Sequence, residues 1–127
     1  MTKEDEKLMF QELCSRLPYG IKTKAWFWDE DNDEEKEVAA TVYQVNTDGY
    51  YKLAEDDEGE ELSIDSLMMY LRPFDTLTND ELMEMAASAN LYGTEMIWLN
   101  EHHIDYNHWI ERNMAIDITK DENPYKQ

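Results

Sequence analysis

The stretch that decides the fold is Ile21-Lys22-Thr23-Lys24-Ala25-Trp26-Phe27-Trp28. Its residues alternate between two faces and are rich in aromatic side chains, a pattern typical of a β-strand. Val38 to Val45 alternates in the same way, and the turn Asn46-Thr47-Asp48-Gly49 leads into Tyr50-Tyr51-Lys52-Leu53. Asp-Gly between two such runs is a strong hairpin signal. The pattern therefore predicts an antiparallel meander over residues 21–64.

Two architectures are compatible with this meander. Leu62-Ser63-Ile64-Asp65 predicts one more short strand, which gives three or four strands in all. Short strands joined by acidic loops resemble a small, strongly bent barrel of the SH3-like type, but the same strands could equally form an open antiparallel sheet covered by helices. Both architectures belong to the α+β class.

An N-terminal helix is predicted over about residues 4–17. Its apolar residues recur at three- and four-residue spacing, which indicates one buried face; they are Leu8, Met9, Leu13, Cys14 and Leu17. Pro18 and Gly20 end the helix. On this face the Cys14 thiol is expected to be buried and inert, so core packing is its predicted role and not nucleophilic catalysis.

A helical segment is predicted over about residues 66–113. Ser66 to Leu71 would form a short helical turn before Pro73, and Thr78 with Glu81 forms a capping-box pattern that opens a helix over about Asn79 to Asn90. The buried stripe of that helix is Leu82, Met85, Ala86 and Ala89, and Gly93 marks its end.

Two more short helices complete the prediction. Thr94 can cap a helix that ends near His103, and Asp105 can cap a last helix that ends at Asn113, a residue tolerated in the left-handed conformation. Residues 114–118 return as an extended segment, and residues 120–127 form a frayed tail.

Length and composition predict a single domain over residues 1–127. The chain length is that of one ordinary domain, and 42% hydrophobic residues are enough to form a core. Because Cys14 is the only cysteine and residues 1–7 contain no basic region followed by an apolar run, a cytoplasmic location is expected. No apolar stretch approaches the roughly 20 residues that span a bilayer, so no membrane role is expected.

The chain carries a formal net charge of −19, from 30 acidic and 11 basic residues. Direct nucleic-acid binding is not expected, because phosphates are neutralised by clustered Lys and Arg. Two acidic runs, residues 29–37 with seven acids and residues 55–61 with six, are predicted to be solvated loops. An EF-hand is excluded in the first run, since Glu34 occupies the position of the required Gly and Ala40 that of the bidentate Glu.

Three motifs carry a resemblance to a known family. They are Leu17-Pro18-Tyr19-Gly20-Ile21-Lys22, then Tyr70-Leu71-Arg72-Pro73-Phe74, then Trp98-Leu99-Asn100 followed by His102-His103-Ile104-Asp105-Tyr106. As a set they resemble a family of short uncharacterised proteins found in gut Bacteroidetes and their phages or integrated elements. The resemblance spans most of the chain after Leu13. It implies a phage or mobile-element setting and no particular chemistry.

One cluster of residues has the chemistry of a metal site. His102, Asp105 and His108 could present two imidazoles and a carboxylate to zinc, as in a metal-dependent enzyme. The predicted helix boundaries place His102 and His108 on different elements, and no recognised metal-binding spacing is present. Packing and hydrogen bonding between helices is the competing interpretation, and no cofactor is otherwise predicted.

The aromatic residues of the meander indicate another kind of site. Trp26 and Trp28 share one face of their strand, and an exposed pair of tryptophans would suit a protein contact. The same pair could instead pack under the N-terminal helix. We predict that Trp26, Trp28 and Tyr43 bind an unidentified protein, and that the chain is a non-enzymatic accessory or adaptor protein of phage or mobile-element type.

Two alternative functions remain open at this point. An acidic DNA mimic would occupy the basic groove of a DNA-binding enzyme, as the net charge and the phage resemblance suggest. A metal-dependent enzyme would use His102, Asp105 and His108. The sequence does not decide the oligomeric state.

Overall fold

The computed structural model describes residues 2–55, 61–120 and 122–126. The predicted N-terminal helix, α1 (Lys3–Arg16), is present and ends in a 3₁₀ turn over Leu17–Tyr19. The strands are β1 (Lys22–Asp29), β2 (Glu34–Val45), β3 (Tyr50–Leu53), β4 (Leu62–Ser63), β5 (Met69–Pro73), β6 (Ile104–Asp105) and β7 (Ala115–Asp117). Helices α2 (Asn79–Tyr92) and α3 (Met96–Glu101) lie between β5 and β6. The α+β class is therefore confirmed.

The first four strands form the predicted antiparallel meander. β1 pairs with β2, β2 with β3, and β3 with β4. The turn between β2 and β3 is closed by the Asn46 N–H, which donates to the Tyr50 carbonyl over 2.7 Å. Gly49 has φ +91°, a conformation that glycine adopts without a steric penalty. The hairpin prediction is thus confirmed.

The prediction for Ser66 to Leu71 is wrong. Met69–Pro73 is a strand, and Met69, Tyr70 and Leu71 are all buried, as expected for a strand that is covered on both faces. β5 pairs antiparallel with β1 at Met69 and parallel with β6 and β7. All three partners are distant in the sequence, so a helical turn suited the local sequence equally well.

The sheet is open. Among the described residues it has seven strands in the order β4-β3-β2-β1-β5-β6, with β7 paired to β5. The predicted count of three to four strands and the SH3-like barrel are not confirmed. β2 also begins earlier than expected, so Glu34–Glu37 belong to a strand and not to a solvated loop. Most of the second acidic run, residues 56–60, lies outside the described residues.

Local signals place α2 correctly. The Glu81 N–H donates to Thr78 Oγ1 over 3.2 Å, the Thr78 N–H donates to Glu81 Oε1 over 3.0 Å, and Gly93 closes the helix at φ +79°. The predicted buried stripe is wrong in part, because Leu82 and Ala86 are exposed and no residue of α2 is fully buried. Met85 is half-buried against Trp98 and Leu99 of α3.

The predicted last helix after Asp105 is wrong. Ile104 and Asp105 form the short strand β6, and the residues that follow are turns. Asp105 nevertheless caps this segment, because its carboxylate accepts hydrogen bonds from the Trp109 and Ile110 N–H groups over 3.0 and 2.9 Å. Asn113 closes the turns at φ +59°. β7 then provides the predicted extended return.

The main core lies between α1 and the sheet. Met9 and Leu13 pack with fully buried side chains of the strands and with Trp109. The buried face of α1 also includes Glu12 and Arg16, and this rotation leaves Cys14 exposed. The predicted burial of Cys14 is therefore wrong.

The C-terminal segment is anchored by Tyr125, within the stretch predicted to be frayed. Its hydroxyl donates to the Tyr70 carbonyl over 2.8 Å and accepts from the Lys22 N–H over 2.9 Å. Its ring stacks on His103 with 3.7 Å between ring centroids. Within the described residues, none of the helices is long and apolar enough to cross a membrane.

Candidate functional site

Trp26 and Trp28 lie on the outer face of the sheet. Their side chains are 51% and 60% exposed, whereas Thr23 and Ala25 on the opposite face of β1 are buried. Across the ladder Trp26 faces Glu37 and Trp28 faces Glu35. We call these four residues the tryptophan surface. Of the two interpretations that the sequence leaves open, the structure selects exposure and not packing under α1.

The tryptophan surface is carried by a two-stranded ribbon. Among the described strands, only β2 pairs with β1 beyond Lys24, and residues 34–38 of β2 are exposed. The turn at the end of the ribbon is organised by Asp29, whose carboxylate accepts from Asn32 Nδ2 over 2.8 Å and lies 2.6 Å from Lys36 Nζ. The hydrogen bond from the Lys36 ammonium lowers the pKa of Asp29. These contacts stabilise the turn, while its other acids face solvent.

Lys24 lies close to both Glu37 and Trp26. Its ammonium lies 2.8 Å from Glu37 Oε1 and 5.9 Å from the centroid of the Trp26 ring. Both distances are compatible with favourable interactions, an ion pair and a cation–π contact. The surface can therefore accept a cation against a tryptophan ring.

A groove begins beside Lys24 and Glu37. It encloses about 510 Å³ and continues over β5 and β7. Its apolar lining consists of Met68, Tyr70, Ile110, Ala115 and Ile116. The tryptophan surface thus continues into a concave, partly apolar region of the same face of the sheet.

Tyr43 does not join the tryptophan surface. It is 49% exposed on β2, but it lies six positions after Glu37, the cross-strand partner of Trp26. At the rise of a β-strand this separation corresponds to about 20 Å. The structure therefore brings together two of the three predicted protein-binding residues.

His102, Asp105 and His108 have separate surroundings. The His102 ring stacks on Trp98, and its Nδ1 is 2.9 Å from the Trp98 carbonyl oxygen. Asp105 caps the following turn, and the largely exposed His108 ring lies 3.5 Å from Glu111. In the part of the chain that the structure describes, no three His, Cys, Asp or Glu side chains are grouped to hold a metal ion.

A buried polar cluster was missed in the sequence. Glu12 accepts hydrogen bonds from Arg16 Nε and Trp109 Nε1, over 3.0 and 2.9 Å, and from the Asn107 side chain. The Arg16 guanidinium also lies 4.6 Å from the centroid of the Tyr106 ring. The four-residue spacing of Glu12 and Arg16 was the available signal, although on a solvated helix the same spacing indicates only a surface ion pair.

Comparisons of the chain with protein-family models, with curated proteins and with solved structures find no match. The candidate site therefore rests on the geometry of the tryptophan surface.

Proposed function

We propose that this chain is a non-enzymatic accessory or adaptor protein that binds another protein through the tryptophan surface. The observation that carries the proposal is the exposure of Trp26 and Trp28 side by side on a ribbon that extends beyond the core. Tryptophan is strongly enriched among the residues that dominate interface energies. Leaving two such rings in water contributes nothing to the stability of a domain, and exposed apolar patches commonly mark interaction sites.

The charge around the surface indicates the chemistry of the partner. Residues 29–37 contain seven acids and one lysine, and Glu35 and Glu37 lie directly beside the tryptophans. Opposite charges steer association and penalise wrong partners. We therefore infer that the partner presents a basic surface with an apolar or aromatic centre.

The proposed setting is a cytoplasmic protein of a phage or mobile element. The setting is supported by the resemblance of the three motifs described above. An exposed free thiol at Cys14 suits a reducing compartment.

The test is quantitative capture of partners from native cells by the tagged protein, with a Trp26→Ala/Trp28→Ala variant beside the wild type. The matched control is Leu91→Ala/Tyr92→Ala, which removes two apolar side chains of α2 that are as exposed as the tryptophans. We expect the tryptophan variant to lose a stoichiometric partner that the control retains. Equal capture by all three proteins would contradict the proposal.

An acidic DNA mimic is a second candidate, favoured by the net charge of −19. A mimic depends on its carboxylates more than on its tryptophans, because it replaces phosphates. A Glu35→Gln/Glu37→Gln variant and rising salt would then abolish binding to a basic DNA-binding protein, while Trp26→Ala/Trp28→Ala would leave it intact. The opposite ranking of the two variants favours the adaptor function.

A further inference from the structure

We propose that the partner binds by strand addition: an extended basic segment pairs with the free edge of β1 at Trp26 and Trp28. The inference rests on the proposed function and specifies how the same surface is used. Extended segments commonly bind exposed sheet edges, where main-chain hydrogen bonds give affinity and side chains give specificity.

The backbone of β1 shows which N–H and C=O groups are available to pair with an added strand. The Ile21 carbonyl accepts from Val42 of β2, whereas the Lys24 N–H donates in the opposite direction, to the Met68 carbonyl over 2.9 Å. Alternate residues of an antiparallel strand direct their N–H and C=O groups to opposite sides. Trp26 and Trp28 are two and four residues after Lys24, so their backbone groups point away from β2.

Among the described residues, backbone pairing along this edge of β1 ends with the bond from Lys24 to Met68. A strand that continued the pairing with β1 would need residues 64–67 to be extended alongside Trp26. Instead Ile64–Ser66 form a 3₁₀ turn, and the pairing of β5 with β1 is confined to Thr23 and Met69. Among the described strands, no second neighbour therefore lies beside β1 at the tryptophans.

The opposite edge of the ribbon is chemically different. There the outward-facing residues of β2 include Glu35 and Glu37, within the charged run Glu34–Glu37. Such charges discourage pairing along an edge. The β1 edge instead presents Ala25, Trp26, Phe27 and Trp28 in succession, an uncharged run rich in the aromatic residues that favour strands.

Charge selects a basic segment over a second copy of this chain. A dimer formed through two β1 edges would join two chains that each carry a formal net charge of −19. A net charge this far from zero opposes association between copies of the chain. A segment with Lys or Arg at alternate positions would instead place cations over Trp28 and near the turn, as Lys24 already does at Trp26.

The probe is a capped peptide of alternating lysine and valine, added to the full-length protein. A twin with every backbone nitrogen methylated keeps the side chains and charge but has no N–H to donate. Amide hydrogen exchange is followed residue by residue by NMR. The Glu35 and Glu37 amides, on the other edge of the ribbon, are the internal control.

We expect the peptide to slow exchange of the Trp26 and Trp28 amides about tenfold at a concentration about ten times its Kd, because only the unbound fraction exchanges. Exchange at Glu35 and Glu37 should not change, and the methylated twin should lose binding. A Trp26→Ala/Trp28→Ala variant should bind the peptide more weakly.

Several outcomes would overturn strand addition. Equal binding of the methylated twin, or binding that depends on the tryptophans without protecting their amides, would leave the proposed function standing and remove this inference. Protection at Glu35 and Glu37 would place the segment on β2. Protection that rises with protein concentration alone would identify a second copy as the occupant. No binding at millimolar peptide would also contradict the inference.

Discussion

The Trp109 indole N–H donates a hydrogen bond to Glu12 Oε1 over 2.9 Å, and both side chains are buried. This bond joins α1 to the turn that follows β6. The same carboxylate neutralises Arg16, whose guanidinium donates to the Ile104 carbonyl of β6. The Glu12 carboxylate therefore connects α1 with the segment around β6 and neutralises the buried charge of Arg16.

Removing Glu12 should strongly destabilise the protein. Glu12→Ala leaves the buried Arg16 charge unpaired, and a loss of this kind costs about 3–5 kcal/mol of unfolding free energy. Urea unfolding followed by circular dichroism measures it. Gln11→Ala, at the adjacent exposed position of α1, should change stability by less than about 0.5 kcal/mol. If the two variants lost similar amounts of unfolding free energy, the buried cluster around Glu12 would contribute little to stability.

This cluster explains why the face of α1 was placed wrongly. The sequence pattern counted Cys14 among the apolar residues of the buried face and did not include Glu12 or Arg16. In the structure the two charged residues are buried because they pair with each other and with Trp109. A buried ion pair has no periodic hydrophobic signature. Trp109, which donates a hydrogen bond to Glu12, is almost a hundred residues away in the chain.

Features set by neighbouring residues were predictable. Thr78, Glu81 and Gly93 bound α2 correctly because capping depends on residues within one turn. β5 was missed because its pairing with Ile104 and with Ala115–Asp117 is long-range. At the candidate site, alternation placed Trp26 and Trp28 on one face, but only the position of α1 and the core decides that this face is exposed.

His103 is the histidine most affected by the fold. Burial lowers its pKa to about 4, and the nearby Arg16, His102 and Lys22 charges act in the same direction. Its Nδ1 is buried, and the structure gives it no hydrogen-bond partner among the described residues. The neutral imidazole is thus the form that the folded chain holds against Tyr125.

Lowering the pH should therefore destabilise the protein through His103. Between about pH 6.5 and about pH 4 the unfolded chain binds a proton at His103, whereas His103 of the folded chain stays neutral. The unfolding free energy therefore falls as the pH is lowered through this window. The loss is at most about 3 kcal/mol, since His103 is only partly buried. Urea unfolding between pH 7 and pH 4 measures it. His103→Asn should flatten the profile, whereas His108→Asn, at an exposed position with a similar positive φ, should not. Parallel profiles for both variants would contradict this prediction.

The Tyr125 hydroxyl should stabilise the fold. Tyr125→Phe keeps the ring on His103 but leaves the Lys22 N–H without the acceptor that it has in the wild type. An unsatisfied buried donor costs about 1–3 kcal/mol, which thermal or urea unfolding resolves. Tyr92→Phe, at a largely exposed position of α2, is the control and should be neutral. A neutral Tyr125→Phe variant would show that water replaces the hydroxyl.

The four tryptophans divide into two classes that fluorescence can separate. Trp98 and Trp109 are buried, whereas Trp26 and Trp28 are exposed beside Glu35 and Glu37. The exposed pair lies close to a ribbon turn rich in carboxylates. Collisional quenchers that carry a charge therefore report both the exposure and the electrostatic environment of the tryptophan surface.

Relative to their quenching of free N-acetyltryptophanamide, caesium should quench the exposed class more effectively than iodide. The acids around Trp26 and Trp28 concentrate cations and repel anions, and the difference should shrink as salt screens these charges over a Debye length of about 8 Å at physiological ionic strength. Trp26→Phe/Trp28→Phe should remove most of the quenchable emission, while the remaining signal from Trp98 and Trp109 resists both ions. Acrylamide is an uncharged quencher, so it serves as the control that measures the accessibility of the tryptophan rings alone. If iodide quenched as well as caesium on this relative scale at low salt, the field at the tryptophan surface would be too weak to select a basic partner, and the tryptophans alone would have to determine binding.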